Sequence, residues 1–144
     1  MKIGRNVLVC ASLVLAVLVV ASGCGGGEKD KEGAGKACAP APAALAGTPA
    51  LPTGFPTVDG VTYTKNTKHG PSEVVSGYRN GDVGDAYDAF KSAVTGASGY
   101  SVTKSEHEDF DAEVNFAGGT KTGQVKLLQS CKDRTEVTIT ARPQ

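Results

Sequence analysis

Apolar and polar residues alternate strictly along Phe110-Asp111-Ala112-Glu113-Val114-Asn115-Phe116, a stretch (110–116) in the C-terminal half of the chain. Successive side chains of a β-strand point to opposite faces of a sheet, so this pattern predicts a strand with one apolar and one solvated face. Such strands are typical of antiparallel sheets that are covered on one side only. The rest of the sequence should therefore supply further strands and an element that covers the apolar face.

The covering element is predicted at residues 83–94. Apolar residues recur there at spacings of three and four, which places on one helix face Val83, Ala86, Tyr87, Phe90 and Val94. Asp82 precedes the stretch as a candidate N-cap, and Asp85 falls in the first turn, where a carboxylate complements the helix dipole. We expect Gly96 and Gly99 to end the helix.

Strand patterns occur on both sides of this helix. Before it, β-branched and aromatic residues at 61–64 and 72–79 flank turn formers at 66–71, which predicts an antiparallel hairpin. After the helix, strand patterns occur at four places, 100–104, 110–116, 124–130 and 135–141. From these four patterns we expect three strands. The predicted fold is α+β, a two-layer sandwich with one helix packed on an antiparallel sheet, in the order β-β-α-β-β-β.

Composition divides the chain into three parts. Residues 24–50 are rich in glycine, charged residues, alanine and proline and lack apolar periodicity, which indicates a flexible linker. Residues 51–144 carry the folding signals and form the predicted small α+β domain. Residues 1–23 begin with Lys2 and Arg5 and continue as a short apolar run, the pattern of a signal peptide that is cleaved on export.

The end of that apolar run, Ala21-Ser22-Gly23-Cys24, resembles the lipobox of bacterial lipoproteins. The resemblance covers the export segment only, and the domain that follows is not matched to a named family. It implies that Cys24 becomes the lipidated first residue, anchored by palmitate-type acyl chains on the extracytoplasmic face of the cell membrane. The alternatives are cleavage without lipidation and a permanent membrane helix, although about 15 apolar residues are short of the roughly 20 that a span needs.

The remaining cysteines suggest an oxidising compartment. Cys10 lies in the signal peptide and Cys24 is assigned to the lipid, which leaves Cys38 and Cys131 in the mature chain. Two thiols in an exported protein usually pair, so we expect a Cys38–Cys131 disulfide. Two free or intermolecular thiols are the alternative.

Charge and composition exclude several partners. The full chain has 15 basic and 15 acidic residues, and loss of Lys2 and Arg5 leaves two more acidic than basic residues. Nucleic-acid binding would need a concentrated basic face, so no nucleic-acid partner is expected. Tryptophan is absent, which argues against a broad aromatic platform for sugars. No cofactor is predicted.

One dense group of acidic residues stands out, at 106–113. Asp109, Asp111 and Glu113 would share a face on a strand and are weak candidates for binding a hard cation such as calcium, but a solvated outer face is the preferred interpretation and no metal site is predicted. Glu106, His107 and Asp109 form the sole plausible acid–base group. We find no catalytic motif of known spacing in the sequence.

These features predict a membrane-anchored extracytoplasmic lipoprotein that presents a small, non-enzymatic binding domain. Its partner would be an envelope protein, a peptide or a small ligand. The alternative is an envelope enzyme, or an inhibitor of a secreted enzyme, that uses the Glu106, His107 and Asp109 region.

Overall fold

The structure of the protein, a computed structural model, describes residues 33–144. The predicted signal peptide (1–23) and the predicted lipidation site Cys24 lie outside the described residues. Six strands and a long helix make up the body of the described part: β1 (Val61–His69), β2 (Ser72–Asn80), α1 (Val83–Gly96), β3 (Tyr100–His107), β4 (Asp111–Gly118), β5 (Lys121–Cys131) and β6 (Arg134–Pro143). The predicted α+β class is confirmed.

The predicted order β-β-α-β-β-β is wrong by one strand, since four strands follow the helix. Each of the four strand patterns forms a strand of its own. Two-residue turns are enough to reverse the chain between β4 and β5 and between β5 and β6, where Gly118 pairs with Lys121 and Cys131 with Arg134. The strands β3 and β4 are joined by residues 108–110.

All six strands belong to one antiparallel sheet in the order β1-β2-β6-β5-β4-β3. The last strand of the chain, β6, therefore lies at the centre, and β1 and β3 form the edges. Helix α1 connects β2 to the distant edge strand β3 and contacts β3, β4, β5 and β6 on the way. The second layer of the fold is thus a crossover connection, which covers one face of the sheet.

The core lies between the helix and the covered face of the sheet. It contains the alternate residues of the strands, namely Val75, Ala112, Val114, Phe116, Val125, Leu127, Val137, Ile139 and Ala141. The helix contributes Val83, Ala86, Phe90 and Val94 as predicted, while Tyr87 is only partly buried. The predicted N-cap is confirmed, because the Asp82 carboxylate accepts a hydrogen bond from the Asp85 backbone N–H at 2.8 Å.

Phe55 completes this core, although it stands before the first strand. It is 7% exposed, and its ring lies 4.8 Å from that of Phe116 and 5.6 Å from that of Tyr100. The Tyr100 hydroxyl donates to the Thr53 carbonyl at 2.9 Å. The segment before β1 therefore fills the part of the covered face next to the helix.

The first hairpin is longer than predicted. Asn66 pairs with Val75 and His69 with Ser72, so the chain turns at Gly70 and Pro71 alone. Gly70 has a φ of 58°, and a positive φ followed by the fixed negative φ of proline is the pattern of a type II′ hairpin turn. The predicted turn at 66–71 is wrong because Asn66, Lys68 and His69 belong to β1, despite their turn or polar character.

Residues 36–50, which we call the strap, lie against the sheet without forming a strand of their own. In the turn between β5 and β6, the Lys132 N–H donates to the Lys36 carbonyl of the strap at 2.9 Å. At the edge strand β1, the Leu45 N–H donates to the Tyr63 carbonyl at 2.7 Å. The Asn66 side-chain amide of β1 donates to the Thr48 carbonyl at 3.2 Å. This part of the predicted flexible linker is thus in contact with the domain.

The predicted Cys38–Cys131 disulfide is confirmed, with Cα atoms 5.1 Å apart. It attaches the strap to the last residue of β5, where that strand has a register shift between Gln129 and Cys131. The Arg134 guanidinium donates to the Ala39 carbonyl at 2.7 Å just beyond the bridge. One covalent bond and several hydrogen bonds therefore fix the strap on the sheet.

Candidate functional site

The face of the sheet opposite the helix is polar. Register and strand alternation place on it the residues that alternate with the core, which are mostly Ser, Thr, Asn, Gln and charged residues. The strap crosses part of this face, where Pro42 lies beside Ser76 and Thr138 at a cleft of about 200 Å³. The remainder of the face stays open to solvent.

A groove of about 430 Å³ occupies the open remainder. Its lining comes from all strands except the edge strand β1: Ser72, Thr103, Asn115, Phe116, Thr122, Gly123, Gln124, Thr140 and Arg142. Most of these side chains carry a hydroxyl or an amide, which can both donate and accept hydrogen bonds. The groove is therefore suited to a polar ligand.

The groove has an ordered polar floor. The Gln124 amide nitrogen donates to the Glu113 carboxylate at 2.9 Å and to the Asn115 side-chain oxygen at 3.3 Å. These bonds run across β5 and β4, where Asn115 and Gln124 are direct partners. They fix the orientation of both amides before any ligand arrives.

Arg142 is the charged residue that lines the groove. Within residues 33–144, its guanidinium has no carboxylate at ion-pair distance, since the ion pairs found there join Lys104 to Glu106 and Lys121 to Glu73. Arg142 is exposed. A free guanidinium can bind a carboxylate through two parallel hydrogen bonds.

The acidic candidates at 106–113 are dispersed. Asp109 precedes β4, which begins at Asp111, so the shared strand face that the cation hypothesis needs includes only Asp111 and Glu113. In the part of the chain that the structure describes, no three His, Cys, Asp or Glu side chains are grouped so that they could hold a metal ion. Glu113 instead accepts the hydrogen bond from Gln124.

The predicted acid–base group is also divided. Glu106 and His107 are successive residues of β3 and pair with Glu113 and Ala112, so they face opposite sides of the sheet. The Glu106 carboxylate lies 2.7 Å from the Lys104 ammonium. His107 and Asp109 do share an open cleft of about 380 Å³ at the start of α1, beside Asp82 and Gly84.

A cluster of polar side chains adjoins this cleft. The Tyr87 ring stacks on His107 with centroids 5.0 Å apart, its hydroxyl donates to Ser105 at 3.0 Å, and Lys91 donates to that hydroxyl at 3.0 Å. The hydrogen bond with Ser105 and then that with Lys91 lower the pKa of Tyr87 below its ordinary value. The cluster lies between α1 and the edge strand β3 and shares no residue with the groove.

The groove residues were not recognised in the sequence. The alternation in β6 does indicate that Thr138 and Thr140 point away from the core, which was a usable signal. The way Thr122, Gln124 and Arg142 align across β5 and β6 depends on strand register, and register follows from non-local pairing.

Comparison with known proteins finds no matching family model, no matching curated protein and no matching solved structure. In residues 33–144 we also find no helix of the length and apolar character needed to cross a bilayer. The function is therefore inferred from this chain's own residues.

Proposed function

We propose that this protein is a lipid-anchored extracytoplasmic binding protein, whose domain presents the groove on the open face of the sheet to a polar ligand. The observation that carries the proposal is the groove itself, about 430 Å³ in volume and lined largely by hydroxyl and amide side chains. Ligand-binding sites are usually concave, and the polar groups in them orient the ligand.

The disulfide supports the extracytoplasmic part of the proposal. Structural disulfides persist mainly in oxidising compartments such as the cell exterior and the bacterial periplasm. The Cys38–Cys131 bridge is the type of cross-link expected there. The lipid anchor is supported by the lipobox-like Ala21-Ser22-Gly23-Cys24.

The position of the bridge gives the anchored domain a direction. Cys131 ends β5 and Arg134 begins β6, whereas Ser72, Thr122 and Arg142 lie at the other end of the sheet. The eight-residue step along β6 from Arg134 to Arg142 corresponds to roughly 27 Å. A chain anchored at Cys24 would therefore be tethered through the bridged end of the sheet, opposite to the end that carries the groove.

The anchor is tested by fractionation of cells that express the parent chain, Cys24→Ser and Cys10→Ser. We expect the parent and Cys10→Ser in the membrane fraction with an acylated N-terminus by intact-mass spectrometry, because Cys10 lies within the removed segment. Cys24→Ser should be unlipidated. A parent chain that starts at Met1, or that carries no acyl group, would contradict the anchor.

The binding role is tested by NMR on the ¹⁵N-labelled full-length chain in detergent micelles, with the low-molecular-mass fraction of the host's cell envelope as the titrant. We expect saturable amide shifts at Asn115, Thr122, Gln124 and Thr140. The Thr122→Val, Thr140→Val double variant should lose them, while Lys126→Gln on the same face but outside the groove should keep them. Shifts confined to other surfaces, or none, would exclude the groove as a binding site.

A further inference from the structure

We propose that the groove binds a linear polar molecule that ends in a carboxylate, with the carboxylate at Arg142. This inference rests on the proposed function and specifies the ligand class for the same groove. The argument uses the shape of the groove, its charge and the hydrogen-bonding capacity that the protein leaves unused.

The shape favours a linear ligand. The groove residues follow one another across β2, β6, β5, β4 and β3, which are separated by four inter-strand spacings of about 4.8 Å, or roughly 19 Å in all. A volume of about 430 Å³ spread over that length is narrow. An extended chain of a few residues matches such a space better than a compact ring does.

The charge selects one end of the groove. Arg142 lies on β6, next to the end that Ser72 on β2 forms. The Glu113 carboxylate in the floor belongs to β4, towards the other end, and is hydrogen-bonded to Gln124. Arg142 also has no ion-pair partner within the described residues 33–144. A guanidinium that is free of internal partners can accept a ligand carboxylate without first giving up another bond.

The remaining lining suits amide or hydroxyl groups. Because the Gln124 nitrogen already donates to Glu113 and Asn115, its carbonyl oxygen is left to accept from a ligand N–H or O–H. Thr122 and Thr140 add hydroxyls that can donate or accept. Peptides with a free C-terminus and hydroxylated sugar acids both provide this combination of groups.

The test uses three probes with the full-length purified chain in detergent micelles: N-acetyl-Ala-Ser-Ala with a free carboxylate, the same tripeptide as its C-terminal amide, and gluconate. We expect the acid tripeptide, gluconate or both to shift the amides around Thr122 and Thr140, and the tripeptide amide to bind at least about tenfold more weakly than the acid. The two acids distinguish a peptide source from a sugar-acid source.

Two charge variants complete the test. Arg142→Gln should weaken the binding of the acid probes by about tenfold or more and leave the amide probe unchanged. Lys126→Gln removes a cation from the same face of the sheet but outside the groove, and it should not weaken the binding of the acid probes. Equal affinity for acid and amide tripeptides, no binding of either acid, or an unchanged Arg142→Gln variant would overturn the carboxylate assignment.

The outcome is separable from that of the proposed function. If envelope extract shifts the groove amides but neither acid probe does, the groove is a binding site and the carboxylate assignment is wrong. If neither the extract nor the probes shift them, both proposals fail.

Discussion

Gln129 is the residue that joins the helix, the sheet and the disulfide. Its side chain is buried at 6% exposure, next to the register shift that precedes Cys131. The side-chain oxygen accepts from the Val83 backbone N–H at 2.7 Å, and the nitrogen donates to the Cys131 carbonyl at 2.6 Å. It thus provides an acceptor for one of the free N–H groups at the start of α1. In most helices a cap residue close in sequence provides that acceptor.

Gln129→Met tests this role, because methionine keeps the length of the side chain and removes its amide. The Val83 N–H and the Cys131 carbonyl would then lose a buried partner, so we expect the free energy of unfolding to fall by about 1–3 kcal/mol. Urea denaturation measures the change. Lys126→Met, at an exposed position on the opposite face of β5, should change it by no more than about 0.5 kcal/mol, and equal effects of the two variants would refute the bonding role.

At the scale of the element, three glycines in the strands pair with aromatic residues of the neighbouring strand. The pairs are Tyr63 with Gly77, Tyr100 with Gly118, and Phe116 with Gly123. At Gly118 and Gly123 a side-chain Cβ would meet the ring of the paired residue. The missing side chain therefore gives the ring room to lie across the neighbouring strand.

At Gly77, which also faces an aromatic residue, the nearest atoms to an added Cβ all belong to the backbone. A Cβ added there would lie 2.5 Å from the Thr62 carbonyl oxygen and 3.0 Å from the Tyr63 Cα, both in the backbone of β1. The bulge in β1 lies directly opposite, between Tyr63 and Lys65. A glycine within a strand pattern indicates either a bulge or a close backbone approach, and here both occur.

We expect Gly77→Ala to destabilise the protein by about 1–3 kcal/mol, since backbone atoms of β1 would have to shift. Gly96→Ala is the matched control, because no atom lies within 4 Å of a Cβ at that last helical position. Alanine is the better helix former, so this control should be neutral or slightly stabilising. The change in midpoint of thermal unfolding measures both, and a neutral Gly77→Ala would rule out the close approach.

Element type was predictable where the signal is local. The alternation of β4 and the spacing of three and four in α1 depend only on which face of each element is buried. Both elements were therefore predicted, the helix together with its N-cap. The ends of the first hairpin were not, because Asn66 and His69 join β1 through pairing with β2 rather than through β propensity. Phe55 was not assigned to the core since no periodic pattern surrounds it.

The groove shows why the candidate site was harder to predict than the fold. Its lining residues come from five strands, and only the central position of β6 between β2 and β5 brings Ser72 near Arg142 and Thr122. That arrangement depends on strand order, which hydrophobic patterns do not encode. The disulfide could be predicted because the export interpretation left two cysteines to pair.

At the scale of the whole molecule, the disulfide and the strap act together. The Cys38–Cys131 bridge spans 93 positions of sequence, and the strap beyond it reaches the edge strand β1, where Leu45 donates to the Tyr63 carbonyl. The bridge therefore holds the irregular N-terminal segment on the sheet, where the strap covers part of the open face and partly protects the edge of β1.

We expect the Cys38→Ser, Cys131→Ser double variant to be less stable than the oxidised parent by about 2–4 kcal/mol in urea denaturation. Closing so long a loop lowers the entropy of the unfolded chain. The chain-entropy model of disulfides gives about 4–5 kcal/mol as an upper value for the resulting stabilisation. The Ala50 N–H donates to the Asn66 side-chain oxygen at 3.0 Å, as the Leu45 N–H does to the Tyr63 carbonyl. In hydrogen exchange, these two amides should lose protection in the variant, while amides of β4 and β5 keep theirs.

The reducing agent dithiothreitol provides the control for this last experiment. It should bring the parent to the stability of the double variant and leave the variant itself unchanged, because no thiol at position 38 or 131 remains in it. Equal stability of the oxidised parent and the variant would show that the strap is held by its hydrogen bonds alone. An unprotected Leu45 amide in the oxidised parent would show instead that the bridge does not fix the strap against β1.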